Sequence, residues 1–248
     1  ASLPLPGPRP QPGPSPTDRW YRTAMARPSP SAPPQHPSPR LYLATPVLAD
    51  PSTIAAVLPE LLAAADVAAV LLRLAPADDR TLINRIKALA PAIQNADAAL
   101  LLDGHVDLVA RSGADGAHLT GVEALAAALP RLKPECITGV GGLATRHEAM
   151  LAGEAGADYL LFGEPDAEGR RPAAEAIAER IAWWAELFEP PCVAAAGDSD
   201  EIRAFTQAGA DFILLGDMIW SNSRGPVAVL REAAATIASA HGGAEAGG

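Results

Sequence analysis

The feature that most restricts the fold of this chain is a regular alternation, from Leu41 onward, of short apolar runs with alanine-rich stretches of helical periodicity. Such alternation is typical of repeated βα units on a parallel sheet. The predicted strands are 41–47, 67–74, 98–102, 116–119, 136–140, 159–162, 192–196 and 212–215. The predicted helices are 51–65, 78–93, 104–112, 121–131, 144–155, 172–188, 199–208 and 225–240. Eight units of each kind in about 200 residues predict one (β/α)8 TIM barrel over 41–240.

A repeated Gly-Ala-Asp motif supports this fold. It occurs at 113–115, 156–158 and 209–211, each time between a predicted helix and a predicted strand. Glycine can adopt the left-handed conformation that ends a helix, and the next residues can then enter a strand. We therefore assign these motifs a structural role at the end of the barrel where the strands begin, opposite the end expected to hold an active site.

The two ends of the chain have a different composition. Of the 25 prolines, 13 lie in the first 40 residues, which also contain five arginines and one acid. This composition predicts a disordered tail over 1–40, and 241–248 is predicted to be a flexible C-terminus. The whole chain has a net charge of −10 and two cysteines. We therefore expect no nucleic-acid or membrane partner, no disulfide scaffold, and a cytoplasmic location.

Glycines follow the last four predicted strands, at the end where barrels of this kind hold their active sites. Gly197 and Gly216 come after strands seven and eight, where such barrels often bind a phosphate through backbone N–H groups. We therefore predict substrate or phosphate binding along Gly141, Gly163, Gly197, Gly216 and Asp217. Because βα turns commonly use glycine, a purely structural role for these glycines stays open.

Several titratable residues could provide chemistry at the same end. Arg73 interrupts an apolar strand, and it either points inward to bind an anion or forms an ion pair with an acid such as Asp103. Asp103 and Glu123 are the acids best placed to share a hard cation, although Asp103 could instead cap the third helix. His118, on a short buried strand, is either a hydrogen-bonded core residue or a catalytic residue.

Three segments resemble a known family. Residues 100–119 are similar to the region from strand three to strand four of the thiamine phosphate synthase family, which also contains a thiazole tautomerase. Residues 156–163 resemble its sixth strand and 192–197 its seventh, and the similarity extends over 41–238. The resemblance implies a reaction in which a hydroxymethylpyrimidine diphosphate ionises, pyrophosphate leaves with Mg²⁺, and the nitrogen of a thiazole phosphate captures the resulting cation.

Compared residue by residue, the chain is a divergent member of that family. The family's second-strand pattern Gln-x-Arg-x-Lys corresponds to Leu71, Arg73 and Ala75, so only the arginine is retained. The Asn-Asp pair that ends strand three aligns with 103–104, and the metal-binding Asp after strand four falls near Glu123. The diphosphate and metal end of the implied site has therefore lost most of its charge.

The remaining family positions differ in the same direction. The serine that ends strand five corresponds to Gly141, and the lysine-bearing loop after strand six becomes the acidic segment 164–171, in which Arg170 and Arg171 provide positive charge. By contrast, Gly197 and Gly216 fit the thiazole phosphate site, which the family builds from backbone groups.

Three hypotheses follow for the function. In the first, the chain is a thiamine phosphate synthase-like transferase with small phosphorylated substrates, Arg73 and His118 as catalytic residues, and Mg²⁺ held by Asp103 and Glu123. In the second, it is a metal-independent isomerase of a thiazole phosphate, in which His118 or Glu164 moves protons. In the third, it binds a phosphorylated ligand without turnover. Self-association is open in all three.

Overall fold

The computed structural model describes residues 37–165 and 169–245, and it contains a closed barrel of eight parallel strands in the order β1 to β8. The strands are β1 (Arg40–Leu48), β2 (Val67–Leu74), β3 (Ala99–Asp103), β4 (Gly116–Thr120), β5 (Ile137–Gly141), β6 (Tyr159–Phe162), β7 (Cys192–Ala196) and β8 (Phe212–Leu215). The barrel closes where Leu41 of β1 lies opposite Ile213 of β8. The predicted TIM barrel is confirmed, and each strand lies within one residue of its predicted bounds.

Helices connect the strands on the outside of the barrel. They are α1 (Ser52–Ala64), α2 (Asp79–Gln94), a 3₁₀ turn (Val106–Leu108) that runs into α3 (Val109–Ser112), α4 (Val122–Leu132), α5 (Arg146–Ala155), α6 (Ala174–Leu187), α7 (Ser199–Gln207), α8 (Asp217–Trp220) and α9 (Pro226–Glu245). Side-chain caps fix several helix starts. Thr145 and Glu148 form a capping box at α5, and Asp198 accepts hydrogen bonds from two backbone N–H groups at the start of α7.

Three elements differ from the prediction. The third helix begins later than predicted because Gly104 and His105 have φ values of 71° and 41°, which are incompatible with a right-handed helix. The short helix α8 follows β8 and was not predicted. The last helix was predicted to end at residue 240 and extends to Glu245. Most of the predicted N-terminal tail, residues 1–36, lies outside the described residues.

The core has two layers because each strand is buried on both faces. Side chains that point into the barrel include Tyr42, Leu71, Leu101, Tyr159 and Phe212, which belong to one packed cluster. The alternate side chains of the same strands pack against the surrounding helices. Burial on both faces explains why the strands read as continuous apolar runs. It also means that a polar side chain on the inner face must find its partners inside the barrel.

The Gly-Ala-Asp motifs form three equivalent joints at the end of the barrel where the strands begin. Their glycines have φ values of +78°, +100° and +91°, as expected at the end of a helix. Each aspartate then makes two hydrogen bonds to one residue of a neighbouring strand, through its backbone N–H and its carboxylate. The pairs are Asp115 with Leu100, Asp158 with Thr138, and Asp211 with Cys192. The repeated motif therefore fixes neighbouring strands to each other.

None of the helices in residues 37–165 and 169–245 is both long enough and apolar enough to cross a membrane.

Candidate active site

A cavity of about 230 Å³ opens at the end of the barrel where the strands terminate. We call it the mouth cavity. It is lined by Arg73 of β2, by residues after β6 and β7, and by the segment between β8 and α8. Gly163, Gly197, Gly216 and Asp217, all predicted to bind substrate, lie on its wall. Because barrels of this class perform their chemistry at this end, the mouth cavity is the candidate active site.

Arg73 points inward, as one of the two alternatives predicted. It follows Ala69 and Leu71 of the inner cluster at a period of two, and it lines the mouth cavity. Its Nε lies 3.8 Å from Oδ2 of Asp103, so the other alternative, an ion pair, is present as well. At that distance the two groups attract each other without a hydrogen bond. Within the described part of the chain, the guanidinium therefore keeps its donors for an anion.

Asp103 and Glu123, the predicted metal ligands, lie on adjacent βα units. Asp103 ends β3 with a side chain that is 42% exposed, and it does not cap the third helix, since no side chain caps the 3₁₀ turn that begins after His105. Glu123 is exposed in the first turn of α4. Among residues 37–165 and 169–245, no three His, Cys, Asp or Glu side chains are grouped so as to hold a metal ion. A metal ion here would need oxygen ligands from the substrate.

A chain of four hydrogen-bonded side chains leads from the barrel core to the mouth cavity. Tyr42 Oη lies 2.9 Å from Tyr159 Oη, which lies 2.9 Å from Nδ1 of His118, and His118 Nε2 lies 3.4 Å from Oε2 of Glu164. An ionised carboxylate can only accept, so His118 Nε2–H donates to Glu164. When the imidazole is neutral, Nδ1 accepts from the Tyr159 hydroxyl, which in turn accepts from Tyr42. We call these residues the polar chain.

Burial and charge act in opposite directions on the polar chain. Burial raises the pKa of Tyr42 and of Tyr159, so both remain neutral hydroxyls. Burial also acts to raise the pKa of Glu164. The hydrogen bond and electrostatic attraction of His118, the charge of Arg73 and the backbone N–H of Gly142 more than offset it, so the pKa of Glu164 lies below the usual glutamate value. Glu164 is therefore ionised at neutral pH, beside the mouth cavity.

Gly141 provides the space that Glu164 occupies. A Cβ atom at position 141 would overlap Oε2 of Glu164 and would lie 3.0 Å from Nε2 of His118. Gly141 was predicted to contact substrate or phosphate, but its inner side is filled by this carboxylate. His118 was predicted to be catalytic, yet its side chain is only 1% exposed and lies behind Glu164. Both residues lie against Glu164, which lines the mouth cavity.

The backbone N–H of Gly197, predicted to bind phosphate, already has a partner. It donates to Oε2 of Glu201 at 2.7 Å, and the other carboxylate oxygen of Glu201 accepts from Nη1 of Arg171 at 2.7 Å. Arg171 also donates to the carbonyl oxygens of Gly163, at 2.6 Å, and Ala195, at 2.5 Å. The Glu201 carboxylate is therefore the hydrogen-bond acceptor of the Gly197 N–H, and Arg171 holds the Gly163 turn in place.

The sequence analysis missed Tyr42, Tyr159 and Glu201 as members of the site. The two tyrosines lie within strands that were interpreted only as core. Each tyrosine is two residues away from another inward-pointing residue of its own strand. This spacing was a signal that the tyrosine hydroxyls lie inside the barrel. Glu201 lies in the first turn of α7, and no local pattern distinguishes a glutamate that reaches back to Gly197 from one that caps its own helix.

A family model and two relatives are similar to this chain over most of the barrel. The model of the thiamine monophosphate synthase family matches residues 41–219. A thiamine-phosphate synthase from Rhodospirillum centenum is 40% identical over 196 residues, which cover 78% of this chain and 95% of that protein. Another thiamine-phosphate synthase, from Hyphomonas neptunium, is 36% identical over 207 residues and covers 79% and 92%.

Solved structures support the fold. The thiamine phosphate pyrophosphorylase of Pyrococcus furiosus has a TM-score of 0.66 at 22% identity and covers 81% of this chain and 96% of its own. The 3-hexulose-6-phosphate synthase of Salmonella typhimurium has a TM-score of 0.63 at 17% identity and covers 81% and 100%. At these identities the likeness concerns the barrel alone. The family model and the relatives matched over more than nine tenths of their length show, however, that this chain belongs to the thiamine monophosphate synthase family.

Proposed function

We propose that this chain joins a hydroxymethylpyrimidine diphosphate to a thiazole phosphate and releases pyrophosphate, as the name of its relatives indicates. The structural observation that supports this most is the inward position of Arg73, with unpaired donors on the wall of the mouth cavity. A departing diphosphate develops negative charge, and a planar guanidinium can donate two hydrogen bonds to such a group. Arg73 is therefore the residue that we assign to the leaving group.

The donor set is compatible with Mg²⁺ if the substrate completes its shell. Asp103 and Glu123 offer carboxylate oxygens on adjacent βα units, and Mg²⁺ is commonly bound by one or two carboxylates together with phosphate oxygens. We propose these two residues as its protein ligands. When bound, the ion would supply positive charge that balances the departing pyrophosphate. Arg73 would orient the diphosphate, and Asp103, which lies beside Arg73, would then be close to the diphosphate as well.

We further propose that the thiazole phosphate lies against the turns after β7 and β8, at Gly197, Gly216 and Asp217, on the wall of the mouth cavity. The N–H of Gly197 donates a hydrogen bond to Glu201. A phosphate that takes this amide must therefore displace the Glu201 carboxylate. Two negative groups would otherwise compete for one donor.

The test is a direct reconstitution. Purified protein is incubated with the pyrimidine diphosphate, the thiazole phosphate and Mg²⁺, and thiamine phosphate is measured by liquid chromatography and mass spectrometry. We expect product that depends on both substrates and disappears on chelation of Mg²⁺. Absence of product at high protein concentration, with the thiazole phosphate still bound, would instead support a role in ligand binding without turnover.

A second candidate function is favoured by the contact between His118 and Glu164 beside the mouth cavity. A carboxylate oriented by a histidine can take a proton from a carbon of a bound thiazole phosphate and return a proton that exchanged with solvent. Such an isomerase would cause exchange of that carbon-bound proton in D₂O without the pyrimidine substrate. Proton NMR of the thiazole phosphate with wild-type protein and with Glu164→Gln tests this alternative.

A further inference from the structure

The wall of the mouth cavity contains a carboxylate to which the proposed transferase reaction assigns no role. Glu164 lines the cavity directly after β6, and its side chain is 18% exposed. The charged residues described on this wall are Arg73 and Arg171 on the positive side, and Glu164 and Asp217 on the negative side. Arg171 is already hydrogen-bonded to Glu201, whereas the guanidinium of Arg73 makes no side-chain hydrogen bond to any of the described residues and has only its longer ion pair with Asp103.

The position of this carboxylate is fixed by the surrounding structure. His118 donates to it from behind, the N–H of Gly142 donates to it from the turn after β5, and the missing side chain of Gly141 leaves the space that it fills. His118 is itself held by Tyr159, with Nδ1 2.9 Å from the hydroxyl. An acceptor held in place before the ligand arrives loses little conformational entropy on binding.

The carboxylate also has capacity for another donor. An ionised carboxylate accepts about four hydrogen bonds, whereas the described residues provide two, from His118 and Gly142. A carboxylate in a partly dry cavity is stabilised by a ligand that brings an N–H donor and destabilised by one that brings an apolar group. Together with Arg73, the cavity therefore favours a small molecule that has an N–H donor at one end and an anion at the other.

We propose that Glu164 is a specificity-determining residue that accepts a hydrogen bond from the amino group of the substrate's pyrimidine ring while Arg73 binds the diphosphate. This inference rests on the proposed function for the identity of the substrate. Of the two proposed substrates, the pyrimidine diphosphate is the one that combines a ring amino group with an anionic tail. Gly141 is then needed for recognition, because any side chain at 141 displaces the acceptor.

Binding of the pyrimidine diphosphate alone, without the thiazole, tests the proposal apart from turnover. Isothermal titration calorimetry compares this ligand with an isostere in which a methyl group replaces the ring amino group. We expect the wild-type protein to prefer the amino compound by roughly 10-fold to 100-fold, the range for a hydrogen bond to a charged group. Glu164→Met should remove most of this preference, and Glu164→Gln, which still accepts but is neutral, should reduce it.

Two further variants separate recognition from folding. Gly141→Ala keeps Glu164 but displaces its carboxylate, so it should also lower the preference for the amino compound. Glu179→Gln, at an exposed position on α6, makes the same chemical change away from the cavity and should leave the preference unchanged. Thermal unfolding of each variant identifies any that fails to fold.

The outcomes distinguish this inference from the proposed function. Equal wild-type affinity for the two ligands, no binding of either ligand, or an unchanged preference in both Glu164→Met and Gly141→Ala would overturn the role of Glu164. A preference that Glu164→Met abolishes would support that role even if no thiamine phosphate were formed, in which case the proposed reaction alone would fail. Formation of thiamine phosphate without any preference for the amino compound would support the proposed reaction and overturn the role of Glu164.

Discussion

Carboxylates occupy both ends of this barrel, but their partners differ. At the end where the strands begin, Asp115, Asp158 and Asp211 each bind the backbone N–H of a neighbouring strand. At the mouth, Glu164 binds a histidine side chain and one backbone N–H, and Asp103 lies 3.8 Å from an arginine. The first group connects elements of the fold, whereas Glu164 lines the mouth cavity and Asp103 lies beside Arg73 of the cavity wall.

This difference indicates how one residue type serves two purposes in the same fold. A carboxylate whose acceptors are used by the backbone adds stability and cannot bind a ligand without breaking the fold. A carboxylate held by one side chain keeps acceptors for a ligand and contributes less to stability. Mutations at the two ends should therefore separate stability from activity.

The largest effect on stability is expected at the strand-start end. Asp158 has no exposed side-chain surface, and it pairs with Lys133 Nζ at 2.5 Å and with the Thr138 N–H at 2.7 Å. Asp158→Ala leaves these groups without a partner and should lower the free energy of unfolding by about 3–5 kcal/mol. Urea denaturation measures this loss. Asp103→Ala, the same change at the mouth, should lower it by less than about 1 kcal/mol, and equal losses would contradict the contrast between the two ends.

The reverse pattern is expected for Arg73. Because its ion pair with Asp103 is long and partly exposed, Arg73→Gln should change the free energy of unfolding by less than about 1 kcal/mol. If Arg73 stabilises the departing diphosphate, the same variant should lower kcat/KM for thiamine phosphate formation by about 10²-fold to 10³-fold. Steady-state kinetics and urea denaturation of one preparation provide both numbers. A large loss of stability with unchanged kcat/KM would place Arg73 with the structural residues.

A smaller effect is expected at Glu201, which combines both roles. Glu201→Ala frees the Gly197 N–H and one arm of Arg171, and it removes a negative charge from the predicted phosphate site. The affinity for inorganic phosphate should rise by roughly 2-fold to 5-fold, the range for one weak charge interaction. Calorimetric titration with phosphate measures this change, and Glu179→Ala on the exposed face of α6 is the control. Unchanged or weaker phosphate binding would show that this amide does not bind phosphate.

The smallest effect concerns the pH dependence of stability. Burial acts to raise the pKa of Glu164, but His118, Arg73 and the Gly142 N–H lower it below 4.5 overall. A depressed pKa means that the ionised form stabilises the fold above the ordinary glutamate pKa, and that this contribution is lost as pH falls through the folded-state value. The difference in unfolding free energy between wild type and Glu164→Gln should therefore be constant near neutral pH and shrink below about pH 4.5. A constant difference down to pH 3 would contradict the lowered pKa.

The barrel was largely predictable from sequence because its signals are local. Apolar runs, helix caps and the Gly-Ala-Asp motif each act within a few residues, so the eight strands and the positions of the turns that follow them could be derived from spacing. The exceptions had local causes too. The positive φ angles at Gly104 and His105 shortened the third helix, and no apolar periodicity marked the short helix α8.

The candidate site was less predictable because its contacts join distant strands. Arg73 was expected either to face inward or to pair with Asp103, and the structure shows both. That Glu201 reaches the Gly197 amide, or that Glu164 enters the space beside Gly141, depends on loop paths that spacing does not encode. Family resemblance identified position 141 as unusual, but only the packing explains which side chain fills it.

The overlap between a side chain at 141 and the Glu164 carboxylate couples these two positions. A glutamate at 164 can adopt its present rotamer only when residue 141 is glycine. Substitution of Gly141 alone should therefore be harmful, whereas substitution together with a smaller residue at 164 should be tolerated. Homologous sequences should consequently show correlated changes at these two sites.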